Sequence, residues 1–333
     1  SYRLHSTTTG EPLESLTTTI AKNWKDVLAI TDVAVRGQAV EALKAELNNI
    51  FVAHPALVPV QKSSVDWREA EILPMSFFVD RKFVGGSYVK TKARLVAGGH
   101  RQDDETYRLF SSQTVSTESL FIILAIAQFE GRSCGVVDVT GAFLNAPMEH
   151  PDSKLVFLRL SKDLASLLIE ILPQYKNLVN PDGSLLVRAD RAIYGCKQSS
   201  FLWQKLLTQA LRDLGFTISK YDRCVAFRVS DGTIVCFHVD DLFIAARTVK
   251  SRDDFIAEFE EVFKITKSVG PSLNYLGMTM EFVDGCIEVN QHAFLNKLIE
   301  GVQGTVSTPM VPLELEPADA RLLSAEETAS YRS

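Results

Sequence analysis

The sequence is poor in the features that mark membrane and secreted proteins. Its longest apolar stretch lies around Leu120–Ala127, which is far short of the ~20 residues that a membrane-spanning helix needs. The chain begins Ser1-Tyr2-Arg3-Leu4, with neither an initial Met nor a signal-type apolar run. We therefore expect a protein that is not secreted and has no membrane partner, and a chain that is an internal piece of a longer one.

Cysteine is also scarce. The chain has five cysteines, and none of them forms a C-x-x-C pair. This spacing argues against a zinc ribbon and against a disulfide framework. We expect buried free thiols in a reducing compartment.

An excess of positive charge is missing as well. The chain has 35 Lys and Arg against 41 Asp and Glu, a net charge of −6, so it lacks the overall basic balance that flags many nucleic-acid-binding proteins. The segment from Arg81 to Arg101 is an exception, because it holds six Lys or Arg residues and no acidic one. A length of 333 residues, with 46% of them hydrophobic, exceeds what one core usually organises and predicts two or three packed lobes.

Hydrophobic periodicity and turn residues predict helices that alternate with short antiparallel hairpins. The predicted helices cover residues 37–51, 116–131, 199–214, 249–263 and 291–300. The predicted strands cover 75–79, 87–97, 134–138, 225–229, 233–238, 242–246, 275–282 and 287–289, with turns at Gly85-Gly86, Asp231-Gly232 and Asp284-Gly285. This order indicates an α+β fold and not a doubly wound parallel sheet.

Acidic residues follow apolar strands at two places. Asp138 ends the run that starts at Cys134, and Asp240 and Asp241 separate two apolar strands. Carboxylates this close repel one another in a low dielectric. Two divalent cations, about 3.5–4 Å apart, would neutralise them and support in-line phosphoryl transfer. The alternatives are that Asp240-Asp241 is only a turn and that Asp138 is a strand-end or helix-capping residue.

Five short motifs occur in an order and spacing that match a known family. They are Lys92-Ala93-Arg94-Leu95-Val96-Ala97-Gly98-Gly99-His100-Arg101-Gln102, Asp138-Val139-Thr140-Gly141-Ala142-Phe143-Leu144-Asn145, Tyr194-Gly195-Cys196-Lys197-Gln198, His238-Val239-Asp240-Asp241 and Tyr275-Leu276-Gly277-Met278. Together they resemble the reverse transcriptase of copia-type long-terminal-repeat retrotransposons. The resemblance covers residues 65–333, and the ending near Thr308-Pro309-Met310 and Tyr331-Arg332-Ser333 resembles the approach to the RNase H connection.

The resemblance implies the fold of a right-hand polymerase, with fingers, a palm and the start of a thumb. Residues 61–115 and 150–190 would form the fingers, and residues 116–149 and 191–284 an antiparallel-sheet palm of the ferredoxin-like type. Residues 285–333 would begin the thumb or connection. Residues 1–60 form an arm and a helix for which we predict no role.

The resemblance also implies the catalytic and metal-binding residues. Asp138, Asp240 and Asp241 would be the palm carboxylates that bind two Mg²⁺ ions, with Mn²⁺ as the other cation that fits. Val139 would lend a backbone carbonyl to one ion.

Four further residues would bind the incoming nucleotide. Lys92 and Arg94 would contact its triphosphate, and a strictly alternating strand places Lys90, Lys92 and Arg94 on one face. Phe143 would be the aromatic steric gate that excludes a 2′-OH, and Gln198 would lie near the nucleotide. The alternatives are a solvated basic face, core packing for Phe143 and a polar helix-start role for Gln198.

Primer handling would involve His238, Tyr275 and Gly277. Tyr275-Leu276-Gly277 resembles the primer-grip hairpin, with plain sheet packing as its alternative. His238 departs from the Tyr that the family usually has at this position, which affects primer handling and not metal binding. Thr140-Gly141 after Asp138 is a second departure.

The resemblance implies an RNA-directed DNA polymerase that serves retrotransposon replication. Its partners would be an RNA or DNA template, a DNA or RNA primer, dNTPs, and the integrase and RNase H parts of the same polyprotein. It would act in cytoplasmic virus-like particles, with the nucleus as a second location. Two alternatives remain: a domesticated or inactive element-derived protein that binds nucleic acid or a host partner, and another palm enzyme such as a nucleotide cyclase. The basic hairpin before Asp138 and the long interval to Asp240 argue against the cyclase.

Overall fold

The computed structural model describes residues 15–84, 87–108, 110–283, 285–292 and 294–295. Most of the predicted helix 291–300, most of the region 285–333, and the predicted turn residues Gly85, Gly86 and Asp284 lie outside this part of the chain. Of the helices that are described, none combines the length and the apolar character needed to cross a membrane.

The first hundred residues supply four strands and two helices. These elements are β1 (Ser15–Ala21), α1 (Trp24–Ala29), α2 (Val33–Asn48), β2 (Leu57–Val60), β3 (Ala70–Val84) and β4 (Ser87–Ala97). Helix α2 begins where the Asp32 side chain accepts hydrogen bonds from two backbone amides, which satisfies donors that a helix start leaves free. It continues through a π-helical segment, Asn49–Ala53, so the predicted helix over 37–51 is confirmed but starts earlier.

The middle of the chain alternates helices and strands. Its elements are α3 (Thr117–Glu130), β5 (Ser133–Val139), α4 (Ala142–Asn145), β6 (Leu155–Leu160), α5 (Lys162–Ile171) and β7 (Leu185–Ala189). Helix α3 has the predicted ends. The Ser116 side chain caps its first turn, and Gly131 ends it with a left-handed φ of 63°, a conformation that costs glycine little.

Within the described residues, the chain from Ser199 onward adds two helices and eight strands. They are α6 (Ser199–Asp213), β8 (Thr217–Ile218), β9 (Val225–Phe227), β10 (Ile234–His238), β11 (Asp241–Ala246), α7 (Val249–Glu260), β12 (Ile265–Ser268), β13 (Ser272–Tyr275), β14 (Met278–Val283) and β15 (Cys286–Asn290). The predicted single strand over 275–282 is wrong. A turn at Leu276 and Gly277, with φ values of 51° and 73°, folds it into the β13–β14 hairpin.

Six strands form the first sheet, which we call sheet 1. Its order is β1-β3-β6-β7-β2, and β4 pairs with β3 as the predicted hairpin. Strands β1 and β2 both come from residues 15–60, so this segment is part of the sheet and not a separate arm. Helix α2 packs along β4, and its apolar face, Ala39, Leu43 and Leu47, is buried in the core of this lobe.

A second six-stranded sheet, sheet 2, has the order β12-β5-β11-β10-β9-β8 and is antiparallel throughout. Helices α3, α6 and α7 contribute buried side chains to its core, among them Leu120, Trp203 and Phe259. Strands β13, β14 and β15 form a third sheet whose Leu273 and Met280 join the same core. The helices and hairpins therefore form the α+β arrangement that the sequence predicts.

Four cysteines, Cys134, Cys196, Cys224 and Cys236, are buried, and Cys286 on β15 is exposed; all five are free thiols. Burial raises the pKa of each of the four buried thiols to about 12.

Candidate functional site

The acidic residues meet at one end of sheet 2. Strands β5 and β11 pair so that Asp138 lies directly opposite Asp241. The backbone amide of Val139 donates a hydrogen bond to the carbonyl of Asp240 over 2.9 Å. Residues directly opposite in an antiparallel pair have Cβ atoms only about 4.5–5.5 Å apart. The two sequence motifs, a hundred residues apart in the chain, thus form one cluster.

The turn between β10 and β11 is strained and firmly held. Val239 has a φ of 57°, which is unfavourable for a β-branched residue. The indole of Trp203 donates a hydrogen bond to the Val239 carbonyl over 2.6 Å. Strain of this kind persists where the surrounding structure fixes it, and it is often found at functional sites. Helix α6 therefore anchors the turn that presents Asp240.

The carboxylates of this cluster destabilise each other's charged form. Burial raises the pKa of Asp241 to about 6, and the charges of Asp240 and Asp138 add to the shift. Burial also raises the pKa of Asp240, and Asp138 adds to the rise, while the neighbouring His238 and Lys92 lower it. A bound cation would remove this repulsion, so the donor set fits a hard divalent ion.

The ligand geometry of a metal site is not formed by the side chains as they stand. In the described ranges, no three His, Cys, Asp or Glu side chains are grouped as metal ligands. The predicted set of Asp138, Asp240, Asp241 and the Val139 carbonyl therefore stays a prediction.

The basic strand of sheet 1 acts electrostatically on this cluster. Along β4, Lys90, Lys92 and Arg94 alternate with residues of the other face, as predicted from the strand period. Lys92 is exposed, and its charge lowers the pKa of Asp240. The sheets thus bring a cation and the carboxylates of the acidic cluster within electrostatic range.

Phe143 lies beside a residue that we did not predict. On α4, the helix that follows β5 in the chain, its half-buried ring meets the Tyr194 ring edge-on, with centroids 4.7 Å apart. Burial raises the pKa of Tyr194; the charges of Asp240 and Asp138 add to the rise, and that of Arg94 opposes it. Tyr194 therefore lies among the acidic cluster, Phe143 and Arg94. The sequence offered one signal for this role of Tyr194, which is its position at the start of the motif that ends at Gln198.

Gln198, predicted to contact a nucleotide, is fully buried. Its side-chain oxygen accepts a hydrogen bond from Gln102 over 3.2 Å, and its amide nitrogen faces the Glu149 carbonyl at 3.4 Å. In this structure the Gln198 side chain is engaged in the core, and its predicted contact with a nucleotide stays a prediction. Gln198 joins its motif to the one that ends at Gln102.

Close backbone packing also joins these two motifs. The Ala97 amide donates a hydrogen bond to the Tyr194 carbonyl over 2.7 Å. A Cβ atom on Gly195, whose φ is 91°, would lie 2.2 Å from the Ala97 carbonyl oxygen, and one on Gly99 would lie 1.8 Å from that of Gly195. Only glycine permits such an approach, so these glycines fix Tyr194 against the end of β4.

The residues predicted to handle a primer fall in different environments. His238 lies opposite Asp241 in the β10–β11 pair, and its Nδ1 is buried without a hydrogen-bond partner among the described residues. Tyr275 is only 2% exposed, and its hydroxyl donates to the Cys236 carbonyl over 3.4 Å. The structure therefore places Tyr275 in the core, as sheet packing predicts, and Gly277 in the β13–β14 turn.

Comparison with known families agrees with the motif order. The family model described as "Reverse transcriptase (RNA-dependent DNA polymerase)" matches residues 69–314. The chain therefore belongs to the reverse transcriptase family. Within that family it belongs to the copia retrotransposon type.

A curated relative agrees with this assignment. The chain is 28% identical over 146 residues to the transposon Ty5-1 protein YCL074W of Saccharomyces cerevisiae. The match covers 43% of this chain and 42% of the yeast protein, so the chain spans less than half of that relative. Among solved structures, an apo telomerase from Candida tropicalis, truncated from its C-terminal domain, matches with a TM-score of 0.39 and 8% identity, over 75% of this chain and 60% of the telomerase chain.

Proposed function

We propose that the chain is an RNA-directed DNA polymerase that extends a DNA or RNA primer on an RNA or DNA template during retrotransposon replication. The observation that supports this best is the pairing of Asp138 with Asp241 beside Asp240, with the cation of Lys92 in electrostatic range. Sheet 2 would be the palm and sheet 1 the fingers.

In this proposal, Asp138, Asp240, Asp241 and the Val139 carbonyl would hold two Mg²⁺ ions. The ions would activate the primer hydroxyl and neutralise charge on the leaving pyrophosphate. The strand pairing of β5 with β11 and the Trp203 hydrogen bond would hold the carboxylates in place before substrate binds. Such preorganisation lowers the cost of orienting the reacting groups.

Lys92 and Arg94 would bind the triphosphate of the incoming dNTP. Arginine suits this task because its planar fork of donors matches phosphate oxygens. Phe143, supported edge-on by Tyr194, would lie against the sugar and exclude a 2′-OH by steric clash. Tyr194 would join the proposed nucleotide site, and the buried Gln198 would support that site from the core. His238 would lie near the primer end.

Primer extension tests the proposal directly. A labelled DNA primer annealed to an RNA template, and a second annealed to a DNA template, are incubated with the chain, dNTPs and Mg²⁺. We expect template-dependent products on both, none without divalent cation, and none from Asp240→Asn. Binding of the primer–template without extension, under both Mg²⁺ and Mn²⁺, would instead support the inactive nucleic-acid-binding alternative.

The setting of this activity is proposed on the same grounds. Since the curated relative is named as a transposon protein, the chain would act within an element's virus-like particle, in the cytoplasm and then the nucleus. RNase H and integrase parts of the same polyprotein would be its partners.

A further inference from the structure

Strand β1 lies outside residues 69–314, which the family model matches, yet it is aligned with the basic strand. Thr19 of β1 lies opposite Asp80 of β3, and Asp80 lies opposite Lys92 of β4. The three residues form one cross-strand row, and since strand side chains alternate between faces, Arg94, two residues from Lys92, shares its face.

Asp80 links the two outer strands through its side chain. One carboxylate oxygen accepts a hydrogen bond from the Thr19 hydroxyl over 2.7 Å. The other pairs with the Nη1 of Arg94 at 3.0 Å. The Asp80 side chain is only 12% exposed, whereas that of Arg94 is 43% exposed. The carboxylate is thus fixed on both oxygens, while the far end of the guanidinium stays open.

We propose that Thr19 and Asp80 are positioning residues that hold the Arg94 guanidinium in the orientation that binds the dNTP triphosphate. This inference rests on the proposed function. It gives Thr19 of the N-terminal strand β1 a supporting role in nucleotide binding, exerted through Asp80 and Arg94.

The physical basis is the number of donors on arginine. Its guanidinium has five N–H donors, so the contact with Asp80 leaves donors free for phosphate oxygens. A guanidinium already fixed at one end loses less conformational freedom when it binds. The Asp80 charge has an opposing effect, because it repels phosphate. Weaker dNTP binding in Asp80→Asn would therefore indicate positioning of Arg94, whereas tighter binding would indicate that Asp80 only masks the charge of Arg94.

The test measures dNTP binding apart from chemistry. The chain is bound to an RNA template carrying a fluorescent base analogue and a primer that ends in a dideoxynucleotide. The next complementary dNTP is then titrated in the presence of Mg²⁺. Asp80→Asn, Thr19→Val and Arg94→Ala are compared with Thr19→Ser, which keeps the hydroxyl, and with Thr17→Val, which lies on the same strand opposite Lys82.

We expect Asp80→Asn to weaken dNTP binding about tenfold, since a charge-assisted hydrogen bond is lost. Thr19→Val should weaken it only about two- to threefold, because Thr19 does not contact the nucleotide and acts through Asp80. Thr19→Ser and Thr17→Val should match the wild type, and primer–template affinity should not change. Thr19→Val should add nothing in the Arg94→Ala background, because both act through one group.

If the wild-type enzyme extends primers, three results would overturn the positioning role of Thr19 and Asp80. They are unchanged dNTP affinity in Asp80→Asn and Thr19→Val, tighter binding in Asp80→Asn, and an undiminished Thr19→Val effect in the Arg94→Ala background. A wild-type chain that extends no primer would overturn the proposed function, and with it the positioning role of Thr19 and Asp80.

Discussion

The two six-stranded sheets present opposite charges in different ways. In sheet 2 the acidic residues lie where strands pair, partly buried, and burial raises the pKa of both Asp240 and Asp241. In sheet 1, Lys90 and Lys92 are exposed on the strand β4. Buried carboxylates are held by the backbone ladder, whereas long exposed cations need side-chain partners to be oriented. Rigidity thus comes from the backbone at one sheet and from side-chain contacts at the other.

The largest expected effect tests the acidic side of this contrast. Asp240→Asn or Asp138→Asn should reduce primer extension by on the order of 10³-fold or more, because lost metal ligation removes several kcal/mol of transition-state stabilisation. The melting temperature should hardly change, since removing a carboxylate relieves repulsion. Asp253→Asn, on the exposed surface of α7, is the control. Extension by Asp240→Asn within a few-fold of wild type would show that the cluster does not hold the metal.

The close approach of Gly195 to the end of β4 gives the next largest effect. Gly195→Ala should destabilise the protein by about 2–5 kcal/mol, the sum of a left-handed backbone cost and a clash with the Ala97 carbonyl. Gly131→Ala is the matched control, because its φ is 63° with no atom within 4 Å of a new Cβ; it should cost only about 1–2 kcal/mol. Denaturant unfolding measures both. Equal costs would mean that the close approach contributes nothing.

Sugar selection should separate the site from its supporting core. Phe143→Val should raise the use of rNTPs relative to dNTPs about 10–1,000-fold, if relief of the clash is worth about 1–4 kcal/mol. Phe201→Val is the control, because Phe201 is also half-buried and packs edge-on against Phe110 at 4.9 Å; it should lower the melting temperature without changing sugar preference. A destabilised Phe143→Val enzyme with unaltered preference would favour core packing.

The cationic side should give the smallest effect. Arg94→Ala should raise the apparent dNTP requirement about tenfold, through loss of a charge-assisted contact. Arg159→Ala is a control in the same sheet, where Arg159 pairs with Asp182. Steady-state kinetics at several dNTP concentrations would measure the difference. If Arg94→Ala leaves the dNTP dependence unchanged, Arg94 does not bind the nucleotide.

Local signals predicted the three helices that pack on sheet 2 and four of its six strands, but neither of its edge strands, β8 and β12. Ser116 and Gly131 bound α3 as expected, and the turn at Asp231-Gly232 joins β9 and β10. These features depend on capping and turn chemistry within a few residues. The strand pattern did not reveal the turn at Leu276, because leucine rarely adopts a positive φ; only the resemblance to the primer-grip hairpin indicated it.

Contacts between distant segments could not be predicted. Strand β1 pairs with β3 some sixty residues later, and nothing in its Ser- and Thr-rich sequence specifies that partner. Gln102 and Gln198, which are 96 residues apart in the chain, form a hydrogen bond in the core. Part of what the two matched motifs specify is therefore a contact between them. Tyr194 was missed for the same reason, since its importance depends on ring packing against Phe143.

The distribution of the thiols has a practical consequence. The four buried cysteines have little thiolate at neutral pH, because burial raises the pKa of each to about 12, and thiol reagents attack the thiolate. Cys286, on β15, is exposed. A maleimide dye or spin label added to the unaltered chain should therefore attach at one position, on β15, the last strand of the described residues. The native chain thus offers a single-site reporter for following template and primer binding by fluorescence, without any engineered cysteine.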